Sequence, residues 1–223
     1  MPVKPFEYLL MQIELEGIKR ISDDLIACSP QNMDDCPLVI SARTSDGESL
    51  VSFNETVSEE IRSLLPKDDL MEFNTASSIE IFREHGVHAE ASHFKTYAFP
   101  NSFEFAQMEM VKCLDRTDPK VIAFEFHGFT DKVYAIENEE MILSACVSSR
   151  QNHKAAEAWV MTNPDHRKKG LARQVVVAWA EGIRQDRLIP FYSHNSKNIN
   201  SAMLAKSLGL TPVFEETVIE LVS

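Results

Sequence analysis

The segment that most constrains this chain is AAEAWVMT (155–162), followed at once by Asn163-Pro164-Asp165 and then by His166-Arg167-Lys168-Lys169-Gly170. Eight residues of strand character run into a strong turn signal. Beyond the turn, Leu171, Val175, Ala178, Trp179 and Gly182 mark one face of a long helix. A strand, a tight polar turn and an amphipathic helix in direct succession demand a layered α/β arrangement, because the helix must bury its stripe on a sheet.

The flanking sequence extends this pattern. VIAFEFHGF (121–129), KVYAIE (132–137) and MILSACVSS (141–149) are strand candidates ahead of it, with Asn138-Glu139-Glu140 as a joining turn. IPFYSH (189–194) reads as a buried strand, Asn198 to Leu208 as a helix stopped at Gly209, and VFEETVIEL (213–221) as a closing strand. Four antiparallel-looking strands, then helix, strand, helix and strand, predict a mixed α/β sheet. Earlier in the chain, Phe6, Leu10, Ile13, Gly17 and Ile21 predict an amphipathic helix across 6–25. Asp46-Gly47 predicts a hairpin. Thr56 with Glu59, and Ser77 with Glu80, predict capped helices ending at Pro66 and Gly86. The reading divides the chain into a small N-terminal α/β lobe, 1–90, and a second domain, 91–223.

Charge narrows the partners. Across 223 residues, 34 Asp and Glu stand against 22 Lys and Arg, a net charge of −12, which disfavours nucleic acid and anionic membrane surfaces. No apolar run approaches the ~20 residues of a membrane span, and MPVKPFEYLL lacks a secretory pattern. Cys28, Cys36, Cys113 and Cys146 form no CxxC pair and predict reduced thiols in a soluble, cytoplasmic protein. His85, His88 and His93, with Glu84 and Glu90 nearby, match no metal cage, so no metal is expected. Met108, Met110 and the Phe residues of SFEFAQMEM suit core packing or the wall of an acceptor pocket.

Against that acidity, residues 163–173 carry four cations and one Asp, a local +3. Cations at a helix N-terminus oppose the macrodipole unless an anion joins them. A solvated basic turn and a phosphate site both fit this charge. Neither GxxxxGK[ST] nor GxGxxG occurs, which removes the P-loop and the Rossmann fingerprint.

Arg167-x-x-Gly170-x-Ala172, after a strand and opening a helix, resembles the pyrophosphate loop of the GNAT-superfamily N-acetyltransferases. Asn198-x-x-Ser201, followed by Leu208-Gly209-Leu210, is similar to a second motif of that family. The likeness covers about 119–215 and extends to a bacterial subgroup with an extra N-terminal lobe. It implies a mixed, mainly antiparallel sheet flanked by helices, with acetyl-coenzyme A lying between the strand that ends at Thr162 and the strand 190–193. Backbone groups of Trp159, Val160 and Thr162 would pair with the pantetheine arm, and the Val160 N–H would polarise the thioester. Arg167, Lys168, Lys169, Gly170, Leu171 and Ala172 would hold the pyrophosphate. Asn198 would bond the pantetheine, and Ser201 would lie near the sulfur or the phosphates. The implied activity is transfer of acetyl to a primary amine of a small molecule by direct attack.

Glu157 is the candidate base, expected among Ala, Trp and Met, where desolvation would make it more basic; an edge carboxylate or a structural hydrogen bond fits the strand equally. Many members carry a Tyr seven residues after the Asn to protonate the leaving thiolate. That position is Ala205 here, which leaves Tyr192 and Ser201, and less so His194, as substitutes. A coenzyme-binding sensor without catalysis and a protein or peptide N-acetyltransferase are the alternatives. A homodimer is a further expectation.

Overall fold

The computed structural model describes residues 3–28, 36–65, 75–103 and 110–222. In chain order its elements begin α1 (Pro5–Leu15), β1 (Ile18–Arg20), β2 (Leu25–Cys28), β3 (Val39–Thr44), β4 (Ser49–Asn54), α2 (Glu59–Leu64), α3 (Thr75–Glu84) and β5 (Ala89–Ala98). Then follow β6 (Lys112–Asp115), α4 (Pro119–Ala123), β7 (Lys132–Glu137), β8 (Ile142–Gln151), β9 (Ala155–Thr162), α5 (Leu171–Gln185), β10 (Ile189–Asn195), α6 (Ile199–Ser207) and β11 (Thr211–Leu221). The backbone forms two compact units. One comprises Met1–Thr96, His194–Asn198 and Pro212–Ser223, and the other Tyr97–Ser193 and Ile199–Thr211. Where the sequence suggests one cut near residue 90, compactness divides the chain at Thr96/Tyr97 and returns two later pieces to the first unit.

In the first unit the strands lie in the order β1-β2-β4-β3-β11-β5. The Asp46-Gly47 hairpin joins β3 to β4 antiparallel, and β11 pairs with β3 antiparallel from Phe214↔Thr44 to Ile219↔Val39. Val39, Val51, Phe53, Ile61, Phe82 and Ile219 form its core. The expected helix across 6–25 is shorter than its periodicity suggested. It stops at Leu15 because Gly17 takes a φ of +73°, which Gly adopts without a Cβ penalty, and Ile21 lies beyond β1. The α2 cap is Ser58, whose Oγ accepts from Ile61 N at 3.3 Å; Thr56 instead bonds Asn54 Oδ1. Ser77 falls inside α3 rather than capping it. Pro66 and Met108 lie outside the described residues.

Two of the four cysteines depart from the reduced-thiol expectation. Cys28 and Cys36 are joined by a disulfide with Cα atoms 5.8 Å apart, while Cys113 and Cys146 are free. β2 and the approach to β3 bring the two together, with Asn54 Nδ2 2.9 Å from Cys36 Sγ. Among the described residues no helix is long and apolar enough to cross a membrane.

In the second unit β6, β7, β8 and β9 form an antiparallel meander, and β10 then pairs parallel with β9. The meander is four-stranded as expected, but its first strand is β6. VIAFEFHGF is not a strand: Asp118 caps a helix there, accepting from Lys120 N at 2.8 Å, with Pro119 at the first helical position. Val121 and Phe126 pack with Val133, Ala135, Ala145 and Val147 on one sheet face. The α5 and α6 helices cover the opposite face through Val175, Val176, Trp179, Ala205 and Leu208. Within α5, Gly182 admits Tyr134, whose phenol lies where a Cβ would project.

Candidate active site

β9 is paired on both sides only at its start. Toward β10 the ladder runs Ile189↔Ala155, Pro190↔Ala156 and Phe191↔Glu157, and there it ends. Toward β8 it continues to Ser144↔Thr162. Asn163 N–H donates to Leu143 O at 2.9 Å, so that opposed pair is a hydrogen-bonded one. Alternation then makes Ala145/Met161 and Val147/Trp159 hydrogen-bonded pairs too. Ala158, Val160 and Thr162 accordingly turn their N–H and C=O groups away from β8. The parallel side agrees, since Ile189 N donates to Lys154 O at 2.9 Å. Even-numbered β9 residues face β10, and past Ala158 no β10 residue pairs with them.

The two faces of β9 differ. Ala156, Ala158 and Val160 pack against the α5 face. Glu157, Trp159 and Met161 project from the other face, where Glu157 is buried and Trp159 and Met161 are exposed. The Glu157 carboxylate accepts from Ser193 Oγ and lies 3.2 Å from Arg150 Nη1 and 3.5 Å from Ser149 Oγ. The strand's own sequence suggested an apolar surround of Ala, Trp and Met. Arg150 and Ser193 come from β8 and β10, and locating them required the strand register, including the bulge between Ser148 and Arg150.

The basic loop is held in an open form. A single 3-10 turn, Pro164–His166, leads from β9. Arg167 Nε donates to Thr162 O at 3.3 Å, and Lys169 Nζ to Asp165 O at 3.2 Å. Arg167, Lys168 and Lys169 are exposed. Lys168 and Gly170 have φ of +61° and +77°, left-handed conformations that gather backbone N–H groups on one side. Gly170 is the α5 N-cap and offers no side-chain bond, and a Cβ there would meet nothing within 4 Å. With no side-chain cap at Gly170, the start of this 15-residue helix has the N–H polarity that suits an anion. Leu171 is buried in the core and Ala172 half-buried.

The remaining site residues come from β10, α6 and the turn that joins them. Tyr192 alternates to the α5 side of β10, is 2% exposed, and donates a long 3.5 Å bond to Ser201 O. Burial raises its pKa to about 12, with the Ser201 bond acting in the opposite direction. Ser201 sits in the first turn of α6, and Ala205 is buried in the core below it. Asn198 belongs to the first unit, in a turn where its N–H donates to Asn195 O at 2.8 Å. His194, also in that unit, places Nδ1 2.9 Å from Asn195 O. Among the described residues no three His, Cys, Asp or Glu side chains are grouped to hold a metal.

Residues 123–219 match the family model described as GNAT acetyltransferase. They form a GNAT-superfamily domain. Solved structures share its fold. A GNAT-family acetyltransferase from Colwellia psychrerythraea superposes with a TM-score of 0.51 at 12% identity, covering 83% of this chain and 81% of that one. A GNAT-family protein from Novosphingobium aromaticivorans gives 0.50 at 15% identity, covering 60% of this chain and 66% of that one, just under two thirds of its length. No curated protein matches the chain. The mixed, mainly antiparallel sheet flanked by helices is the arrangement the sequence resemblance implied.

Proposed function

We propose that the second unit is an acetyl-coenzyme A-dependent N-acetyltransferase that acetylates a primary amine of a small molecule. The observation that carries this reading is the end of β9–β10 pairing at Phe191/Glu157, which leaves Val160 N–H turned into the gap. A thioester carbonyl beside that N–H would be polarised as in an oxyanion hole. The loop N–H groups from Arg167 to Ala172 suit the pyrophosphate, with the three exposed cations nearby. The amine nitrogen attacks the carbonyl carbon, the C–N bond forms, and the C–S bond breaks to release the coenzyme thiolate.

An alkyl ammonium with a lysine-like pKa near 10.4 must first lose a proton. Glu157 accepts it, directly or through the Ser193 hydroxyl. Transfer from a phenol near pKa 12 to a thiolate whose thiol has a pKa of about 8.5 is uphill by roughly 3.5 units. We therefore assign thiolate protonation to solvent rather than to Tyr192, and Ala205 supplies no proton. That buried alanine is also what favours the second reading, a coenzyme-binding module without turnover. Titration calorimetry with acetyl-coenzyme A tests both, and absence of binding at millimolar ligand rejects both. Thiol release across a panel of amines separates them, because the binding module yields none.

A further inference from the structure

We infer that Trp159, with Phe129 stacked behind it, forms the acceptor platform of this site and selects primary amines attached to an apolar or aromatic body. The inference rests on the acetyltransferase reading and specifies its substrate class. Val160 N–H lies one residue from Trp159, and Glu157 lies two residues away on the same strand face. Two residues along a strand span about 6.7 Å. An amine whose nitrogen reaches a thioester beside Val160, and whose proton reaches Glu157, has the remainder of its body over this face.

The face is built to hold something flat. Trp159 is 50% exposed and Met161 38%, whereas the chain's other tryptophan, Trp179, is 1% exposed. The indole stacks on Phe129, whose ring centroid lies 6.0 Å away at an interplanar angle of 23°. Phe126 meets Phe129 edge-on at 5.7 Å, and Phe124 meets Phe126 at 5.0 Å. Aromatic contacts of this kind are directional. A braced, exposed ring gives up little conformational entropy when a ligand stacks on it.

Charge argues against the other amine classes. The net −12 of the chain suggests polyamines or basic peptides, but Glu157, the carboxylate two residues from Trp159 on this face, is already paired with Arg150. A second ammonium gains no partner from that pair, while an apolar body gains the indole.

Because Trp179 is buried and Trp159 exposed, tryptophan emission reports the platform directly. The full chain, with and without coenzyme A, is titrated with 2-phenylethylamine, n-propylamine and spermidine. A saturable blue shift with 2-phenylethylamine alone, abolished in Trp159→Phe, is the expected result. In turnover, kcat/KM for 2-phenylethylamine should exceed that for n-propylamine. Trp159→Ala should collapse that ratio by ~10–100-fold, mainly through KM, and Trp159→Phe should retain most of it. Equal use of the three amines, a uniform loss for all of them in Trp159→Ala, or no emission change overturns the platform. Failure of acetyl-coenzyme A to bind by calorimetry overturns the acetyltransferase reading instead, since emission in the coenzyme-free protein reads the platform alone.

Discussion

Ser193 Oγ donates to the Glu157 carboxylate although β9 and β10 cease pairing at Phe191/Glu157. The hydroxyl is thus held at the point where the two strands part, with Arg150 on the carboxylate's other oxygen. Glu157→Gln keeps the volume and removes the basicity. Turnover should fall by roughly 10²–10⁴-fold, the range for general-base catalysis, with little change in acetyl-coenzyme A affinity. Higher pH should restore part of the rate, because more amine arrives neutral. Ser193→Ala should lose less, about tenfold. Full kcat in Glu157→Gln from about pH 6 to 9, on an acceptor that turns over, would assign the carboxylate a structural role.

Tyr192 is expected to act through stability rather than catalysis. Its folded pKa of about 12 lies above the ordinary phenol value of 10.0 because burial penalises the phenolate. The unfolded chain therefore ionises first as pH rises. The stability tied to the neutral phenol is intact below about pH 10 and lost between about 10 and 12, ~2–3 kcal/mol in all. Urea midpoints measured from pH 9 to 12 should fall less steeply in Tyr192→Phe than in the wild type. Turnover of that variant at neutral pH should stay within about threefold, and a hundredfold loss would return the phenol to the reaction.

Much of the second unit was legible because its signals are local. The β9 strand, the Asn163-Pro164-Asp165 turn and the α5 stripe follow one another without interruption, so period and punctuation agree. Residues 121–129 failed for the converse reason. Their alternating apolar pattern suits a strand, but Asp118-Pro119 caps a helix and tertiary packing of Val121 and Phe126 completes it. Ser193 and Arg150 were beyond reach because their approach to Glu157 depends on register and on a bulge in β8. Cys28 and Cys36 are eight residues apart, a spacing that carries no motif.

The loop offers a test in which charge and backbone separate. Arg167→Ala should weaken coenzyme A by ~1.5–3 kcal/mol if the guanidinium meets a phosphate. A Cβ at residue 170 meets no protein atom within 4 Å, but φ there is +77°. Gly170→Ala should therefore cost roughly 1 kcal/mol of stability from backbone strain. Gly170→Val should also block close approach of a pyrophosphate. Wild-type calorimetric affinity in folded Arg167→Ala and Gly170→Val proteins would move the coenzyme elsewhere.

The disulfide predicts a thiol count. Alkylation of the denatured, unreduced protein should label Cys113 and Cys146 and leave Cys28 and Cys36 linked. In the chain-entropy estimate, closing a loop of this size is worth ~2–3 kcal/mol, so Cys28→Ser should lower the unfolding free energy by that much in urea denaturation. Four labelled cysteines before reduction would restore the reduced-thiol expectation and with it one argument for a cytosolic protein.

Gly182 and Tyr134 give a test of packing in the second unit. A Cβ at Gly182 would overlap the Tyr134 hydroxyl and ring carbon, so the phenol must move or the helix must shift. The ring is flanked by α5, and Lys132 is tied at 2.7 Å to Asp186 one turn beyond Gly182, which limits that movement. Gly182→Ala raises helix propensity by about 1 kcal/mol, yet overpacking costs about 1–3 kcal/mol. The clash should win, and the variant should be destabilised. Tyr134→Leu alone should also be destabilising, through lost burial. In the double variant the freed space accepts the methyl group, so its stability loss should be smaller than the sum of the two single losses. Additive losses in urea denaturation would show that the helix, not the phenol, yields to the new side chain.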